Sequence, residues 1–238
     1  RLVAARFLEC DIGDEGAAEI ARLLAGGPKR ARDLSAPGLA TSLKELVLSA
    51  NKVGDAGAAA LADALPKCDA LERLLIDRNY IGAAGARALA PRIKRSNLRE
   101  LVLGSHLGGN PIGPLGAEAL ASALDDEMDR AMADRANRLQ ALNLEECGVG
   151  VLGARALAAS LPRSGAMALS VARGQLGDDG AARILEALPP SMMSLDLAGN
   201  GLGDEAAIQT GTTMRRMPTL SVSLAQNGIS VHIRGMLR

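Results

Sequence analysis

The chain has 238 residues, and its 27 lysines and arginines are balanced by 27 aspartates and glutamates, so the formal charge is zero. That balance removes the electrostatic case for nucleic acid or an anionic membrane as a partner. Hydrophobic residues make up 48%, enough for a continuous core, yet no apolar run is long enough to cross a bilayer. The sequence opens at Arg1 rather than Met, already inside a repeat and without a signal peptide, and reads as a fragment of a longer chain.

One pattern recurs about eight times. Apolar residues stand at positions one, four and six, a turn residue at nine, an apolar residue at eleven and Gly at twelve, and a helix rich in small residues follows. The first copy runs through Cys10, and an insertion near 26–42 separates it from the second, LKELVLSANKVGDAGAAALADAL (Leu43 to Leu65). There Leu46 and Leu48 alternate, which predicts a short strand with one buried face. Ala58, Leu61, Ala62 and Leu65 recur at helical spacing and predict a helix with one apolar stripe. The third copy starts at Leu71. In the fourth, the insertion SHLGG (105–109) pushes Asn110 four places late. A further insertion, DDEMDRAMADRANR (125–138), reads as a lengthened helix or an acidic loop. The last four copies carry Cys147, Gly174, Asn200 and Asn227 at position nine, spaced by 27, 26 and 27 residues.

Strand and helix alternating at a short constant period predict a solenoid of parallel strands with helices outside. Position nine (Cys10, Asn51, Asn79, Asn110, Cys147, Gly174, Asn200, Asn227) points inward, where an Asn side chain can pair backbone groups that the turn leaves free. Gly54, Gly82, Gly113, Gly150, Gly177 and Gly203 are expected to turn the chain with positive φ. Asp14, Asp55, Asp178 and Asp204 are expected to cap the helices they begin. Gly16, Gly57, Gly85, Gly116, Gly153 and Gly180 are expected to let each helix pass close to a neighbouring backbone.

The units resemble leucine-rich repeats of the ribonuclease-inhibitor-like type, which also occur in Ran GTPase-activating proteins and in the C-terminal regions of NOD-like receptors. The resemblance spans nearly the whole chain, as a single domain over 1–238. It implies an α/β horseshoe, a right-handed β-α superhelix with a parallel concave sheet and outer helices. It also implies protein binding by the concave face and adjacent loops. Departures are Gly174 in place of Asn, Ala166 and Thr219 in place of the first Leu, and a final repeat without the GDxGA helix. By resemblance the chain is a non-catalytic interaction scaffold. A GTPase activator for a Ran-type GTPase and a sensor region of a NOD-like receptor are the alternatives.

Positions three, five and seven face the concave side. Glu45, Asp77, Glu100 and Glu145 there suggest an acidic ridge for a basic partner, interrupted by Arg73 and Arg78. With Arg73, Asn143 and Asp196 they form the candidate protein-binding set; the alternative is an ordinary solvated sheet face. Beyond Ala168 the face is mostly Ala and Ser. The basic runs PKRAR (28–32) and PRIKRSNLR (91–99) read as solvated segments. GSHLGGNPIG lacks the GK[ST] of a phosphate loop, the two histidines and three cysteines never cluster at metal spacing, and no cofactor is implied. Cys10 and Cys147 read as small structural residues. Three sparse cysteines favour a reducing, cytoplasmic compartment, and a monomer is the default expectation.

Overall fold

The computed structural model describes residues 2–26, 42–125 and 139–236. The insertions near 26–42 and 125–138, PKRAR among them, lie outside the described residues except at their ends. Eight short strands form one parallel sheet in chain order: β1 (Ala4–Arg6), β2 (Glu45–Val47), β3 (Arg73–Leu75), β4 (Glu100–Val102), β5 (Ala141–Asn143), β6 (Ala168–Ser170), β7 (Ser194–Asp196) and β8 (Ser221–Ser223). Each is followed by a helix: α1 (Asp14–Leu24), α2 (Asp55–Ala64), α3 (Ala83–Ile93), α4 (Gly113–Leu124), α5 (Gly150–Ser160), α6 (Gly177–Glu186), α7 (Asp204–Arg216) and α8 (Val231–Met236). The last repeat thus still turns into a short helix, although it lacks the GDxGA sequence.

Leucine registers across the strands. Leu46 pairs with Leu74, Leu74 with Leu101, Leu101 with Leu142, and Leu142 with Leu169. These side chains are buried, as are the position-six residues Leu48, Ile76, Leu103 and Leu144. Each buried leucine contributes about 1.5–3 kcal/mol relative to an exposed one, and no single repeat could supply that shelter alone. Ala166 occupies the first core slot of its repeat and is buried; in the last repeat Leu220 is buried and Thr219 is exposed.

The asparagines bridge repeats. Asn79 accepts a hydrogen bond from Val53 N (2.9 Å) and donates through Nδ2 to Leu48 O (2.9 Å), Ile76 O (3.1 Å) and Asp77 O (3.0 Å). Asn51 accepts from Cys10 N and Ile12 N, Asn110 from Ile81 N, Asn200 from Gly174 N and Leu176 N, and Asn227 from Asn200 N and Leu202 N. Cys147 fills the same slot, its Sγ donating to Leu103 O at 3.4 Å. Burial pushes its thiol up to about 12, and that of Cys68 up to about 11, so both are inert hydrophobes at neutral pH.

The aspartates correct one expectation. None caps the helix it begins. Asp14 instead accepts from Gly54 N (2.7 Å) and Gly57 N (2.8 Å) of the next repeat, and Asp55 from Gly82 N and Gly85 N (2.7 Å each). Asp178 likewise accepts from Gly203 N, and Asp204 from Ser230 N. The carboxylate lies on the flank of its helix, where the following helix presents its free amides.

The same aspartates decide how the chain turns. Gly54, Gly82 and Gly203, each bonded to an aspartate of the preceding repeat, are extended, with φ of −100°, −95° and −101°. Positive φ is therefore not general at these glycines. It occurs at Gly113 (+65°), Gly150 (+62°) and Gly177 (+60°), whose preceding repeats carry Ala83, Pro114 and Val151 where the others have Asp. There the glycine N–H turns forward, to Cys147 O (2.9 Å), Gly174 O (2.7 Å) and Asn200 O (3.1 Å).

The first-turn glycines meet neighbouring side chains more than backbone, a second correction. An added Cβ at Gly153 would lie 2.8 Å from both Ala117 Cβ and Val149 Cγ1. Glycine on one helix thus rests on alanine of the preceding one and brings the outer helices close.

Two substitutions separate the turns. Gly177→Ala, at positive φ in open space, is expected to cost about 1–2 kcal/mol from backbone strain alone. Gly82→Ala, extended and 3.4 Å from the Asp55 carboxylate, is expected to cost less than about 0.5 kcal/mol. Urea unfolding of both variants measures the difference; equal losses would contradict the two-turn scheme.

Candidate functional site

The strand register arranges the concave side chains in rows across the sheet. The position-three row begins Ala4, Glu45, Arg73, Glu100 and Ala141. Arg6 Nε reaches Glu45 Oε1 at 2.8 Å, Arg73 Nη1 reaches Glu45 Oε2 at 2.6 Å, and Arg73 Nε reaches Glu100 Oε2 at 2.6 Å. The sequence placed Arg73 as an interruption of an acidic ridge. In the structure it joins two of the acids, and cation and anion alternate along one row. Glu45 is buried beneath these pairs, Arg73 exposed above them.

Asp77 lies in a different row, at position seven, and is buried. It accepts the Ser49 hydroxyl. Arg78 turns to Glu9 (3.1 Å), reaching past the intervening repeat. Farther along, Arg173 binds Glu145 (2.5 Å) and Gln226 (2.9 Å) and lies 3.5 Å from Glu146. It reaches Gln226 by passing over Gly199, where an added Cβ would lie 2.9 Å from Arg173 Cγ. Both arginines sit at position eight, where Glu9, Ala50, Arg78, Glu146, Arg173 and Gln226 all adopt left-handed φ between 51° and 57°. This shared turn is not visible in the residue types.

Between β4 and β7 the concave face holds a depression of about 290 Å³, lined by Glu100, Asn143, Glu145, Ser170, Ser194 and Asp196 among others. It therefore gathers four of the seven sequence-predicted site residues, while Glu45, Arg73 and Asp77 lie outside its lining. The small residues of β6 and β7 leave the room. Asn143 and Asp196 each turn an oxygen onto their own strand, accepting from Glu145 N (2.9 Å) and Ala198 N (3.0 Å). Ser170 Oγ is buried and without a hydrogen-bond partner among the described residues. Burial raises the Glu145 carboxyl above the usual range; Arg173 pulls it back and Asp196 pushes it up again.

The insertion SHLGG adds one further feature. Residues 105–109 form a closed loop: Ser105 N donates to Gly108 O (3.2 Å) and Gly108 N to Ser105 O (3.0 Å). Its two flanking glycines lie against the next repeat, and an added Cβ at Gly104 would come within 1.8 Å of Glu145 O. The loop is thereby held beside the acidic depression with His106 and Leu107 outward, Leu107 at 64% exposure. Its sequence signal was a Gly-rich insertion inside a strand-to-helix turn. Elsewhere, Arg92 within the basic run pairs with Asp63 (2.8 Å) on the helical side. Among the described residues no group of three His, Cys, Asp or Glu side chains is arranged to hold a metal, and no helix is long and apolar enough to cross a membrane.

A leucine-rich repeat family model matches residues 9–21, 40–62, 96–121, 137–158 and 189–208. Over those segments the chain carries leucine-rich repeats. No curated protein matches this leucine-rich repeat sequence. Among solved structures, it is similar to a Bacteroides fragilis protein at 16% identity, over 95% of this chain and 69% of that one, with a TM-score of 0.46. It is also similar to a chain of the mouse RP105/MD-1 complex, at 14% identity over 84% and 41% of the two chains, TM-score 0.34. A third is an internalin of Listeria monocytogenes, at 14% identity over 82% and 71%, TM-score 0.22.

Arg173→Ala is expected to raise the Glu145 pKa further, since burial and Asp196 are then opposed by His106 alone. A carboxyl raised on folding favours the protonated native state, so the variant should gain stability as pH falls through that raised pKa. Carboxyl-carbon NMR titration of Glu145 checks it; an unchanged or lower midpoint would contradict this account of the site.

Proposed function

We propose that this protein is a non-catalytic scaffold of the ribonuclease-inhibitor-like type that binds a partner protein on its concave face. Short repeats with outer helices support the type, and sparse free cysteines support a reducing, cytoplasmic setting. The observation that carries the binding proposal is the depression between β4 and β7, with acids in its lining and Leu107 displayed on a braced loop beside it. A basic side chain of the partner fits the depression at Asp196, beside Glu100 and Glu145, which Arg73 and Arg173 already hold. An apolar side chain fits Leu107. The ion pairs that link Arg6, Glu45, Arg73 and Glu100 contribute less, because their charges already neutralise one another and breaking them would cost as much as new pairs return.

With a partner obtained by affinity capture on the full chain, Leu107→Asp and Asp196→Lys are each expected to weaken binding about tenfold or more, about 1.4 kcal/mol. Glu118→Lys, exposed on the helical face, should leave affinity unchanged. Isothermal titration at two salt concentrations measures both. Equal affinity for all three variants would overturn the concave-face site, and a salt slope near zero would remove the role of its acids.

A further inference from the structure

The helical face carries a groove of about 580 Å³, against about 290 Å³ for the concave depression. It runs between α3 and α4. Arg87, Pro91 and Lys94 form one wall, Leu115 and Ser122 stand on the other, and Ala90 and Ala119 complete the apolar lining. Local sequence explains the opening. At the start of α4, Gly116 rests on α3: an added Cβ would lie 3.2 Å from Ala83 Cα and from Ala86 Cβ. Farther along, Ala90, Ala119 and Ser122 are too small to fill the space between the two helices. Pro91 sits inside α3 and has no N–H, so Arg87 O loses its helical donor at this wall.

Two features set the chemistry of the groove. The first is charge. Elsewhere on the helical face arginines are matched with acids: Arg92 with Asp63 (2.8 Å), Arg155 with Asp179 (3.0 Å) and Arg183 with Asp179 (3.1 Å). Arg87 and Lys94 have no carboxylate partner among the described residues. Lys94 is half-buried rather than free in solvent, so its charge is held at the wall. Glu118 is the one acid in the lining, which leaves two cations against a single anion. The second feature is apolar exposure. Leu115 is 58% exposed, in the helix position that Glu15, Asp179 and Glu205 take in α1, α6 and α7. An exposed leucine that shares a groove with Pro91 and two alanines gives a partner apolar surface to cover.

We infer that the α3–α4 groove docks an acidic amphipathic helix of a partner protein. Arg87 and Lys94 are seven residues apart on one face of α3, which sets them about 10 Å apart along the helix axis. A helix laid along the groove meets them with carboxylates at i and i+7, while its i+3 and i+4 residues cover Leu115, Pro91 and the alanines. The groove lies on the helical side of the repeats, away from the concave sheet, and the two sites stand independently.

The test titrates the full chain with an alanine-based helical peptide of about 18 residues that carries Glu at i and i+7 and Leu at i+3 and i+4. A second peptide has glutamine in place of both glutamates. The first is expected to bind at least about tenfold more tightly than the second, and the double change Arg87→Glu with Lys94→Glu to abolish that preference. Leu115→Asp should weaken both peptides about tenfold. Comparing the two peptides on the unaltered chain separates the result from any folding defect of the variants. No binding of the glutamate peptide, equal affinity for the two peptides, or a preference that survives the double charge reversal would overturn the inference. So would concentration-dependent self-association of the chain that Leu115→Asp removes, since a second copy would then be the occupant.

Discussion

The asparagine at the end of each strand serves two repeats at once, and the solenoid depends on that double service. A chain that leaves a buried strand and turns toward an outer helix exposes amides and carbonyls that no regular ladder can pair. Asn79 satisfies Leu48 O and Val53 N behind it and Ile76 O and Asp77 O in its own turn. An unpaired buried group costs about 1–3 kcal/mol, so one side chain making four bonds stabilises the turn far beyond its own area. It also sets the spacing of the stack, because the bonds can form only if adjacent turns sit at one fixed separation.

Where that ladder is interrupted, a different connection takes over. Cys147 and Gly174 cannot offer an amide, and there the backbone links repeats directly, Gly113 N to Cys147 O and Gly150 N to Gly174 O; Gly177 N makes the same bond to Asn200 O, where the asparagine is present. These are also the repeats that follow Ala83 and Pro114, where no aspartate reaches forward. The flanks are therefore joined by side chains and the centre by main chain. Pro111 belongs to the same change. It has no N–H to make the backward bond that Lys52 and Tyr80 make to Ile12 O and Val53 O. Main-chain bonds free the turn residues from a bonding task, and here they include Pro114, Leu115, Val151 and Leu152.

Much of this was legible in one sequence, because the repeat makes each observation eightfold. The period located strands, helices, the buried leucines and the inward asparagines, and Leu46, Leu74, Leu101 and Leu142 align as the pattern requires. The aspartates do accept from helix-start amides, but from those of the next repeat. Capping patterns describe a helix in isolation, whereas the amides nearest Asp14 in space belong to residues 40 and 43 places later. For the same reason the acids of the concave face looked like one ridge. Residue type gave their charge, but only the register showed that Arg73 lies between Glu45 and Glu100 and that Asp77 occupies another row. The left-handed turn at position eight had no signal, since Glu, Ala, Arg and Gln share no backbone preference that would reveal it.

The loop at 105–109 shows how the stack tolerates variation without losing register. Asn110 arrives four residues late, yet still donates to Ile76 O and Leu103 O and accepts from Ile81 N. The added residues are confined to the stretch between Leu103 and Asn110, ahead of the turn into the helix. Gly104 and Gly109 let that excursion lie flat on the backbone of Glu145 and Glu146, where any side chain would collide. A loop added for no purpose would be expected to project into solvent and to be loosely tied, since loop length itself costs little. This one is bonded across its neck and braced against the next repeat, which holds Leu107 beside the strand that carries Glu145. In the proposed concave-face site, rigidity at that point would lower the entropy lost when a partner engages.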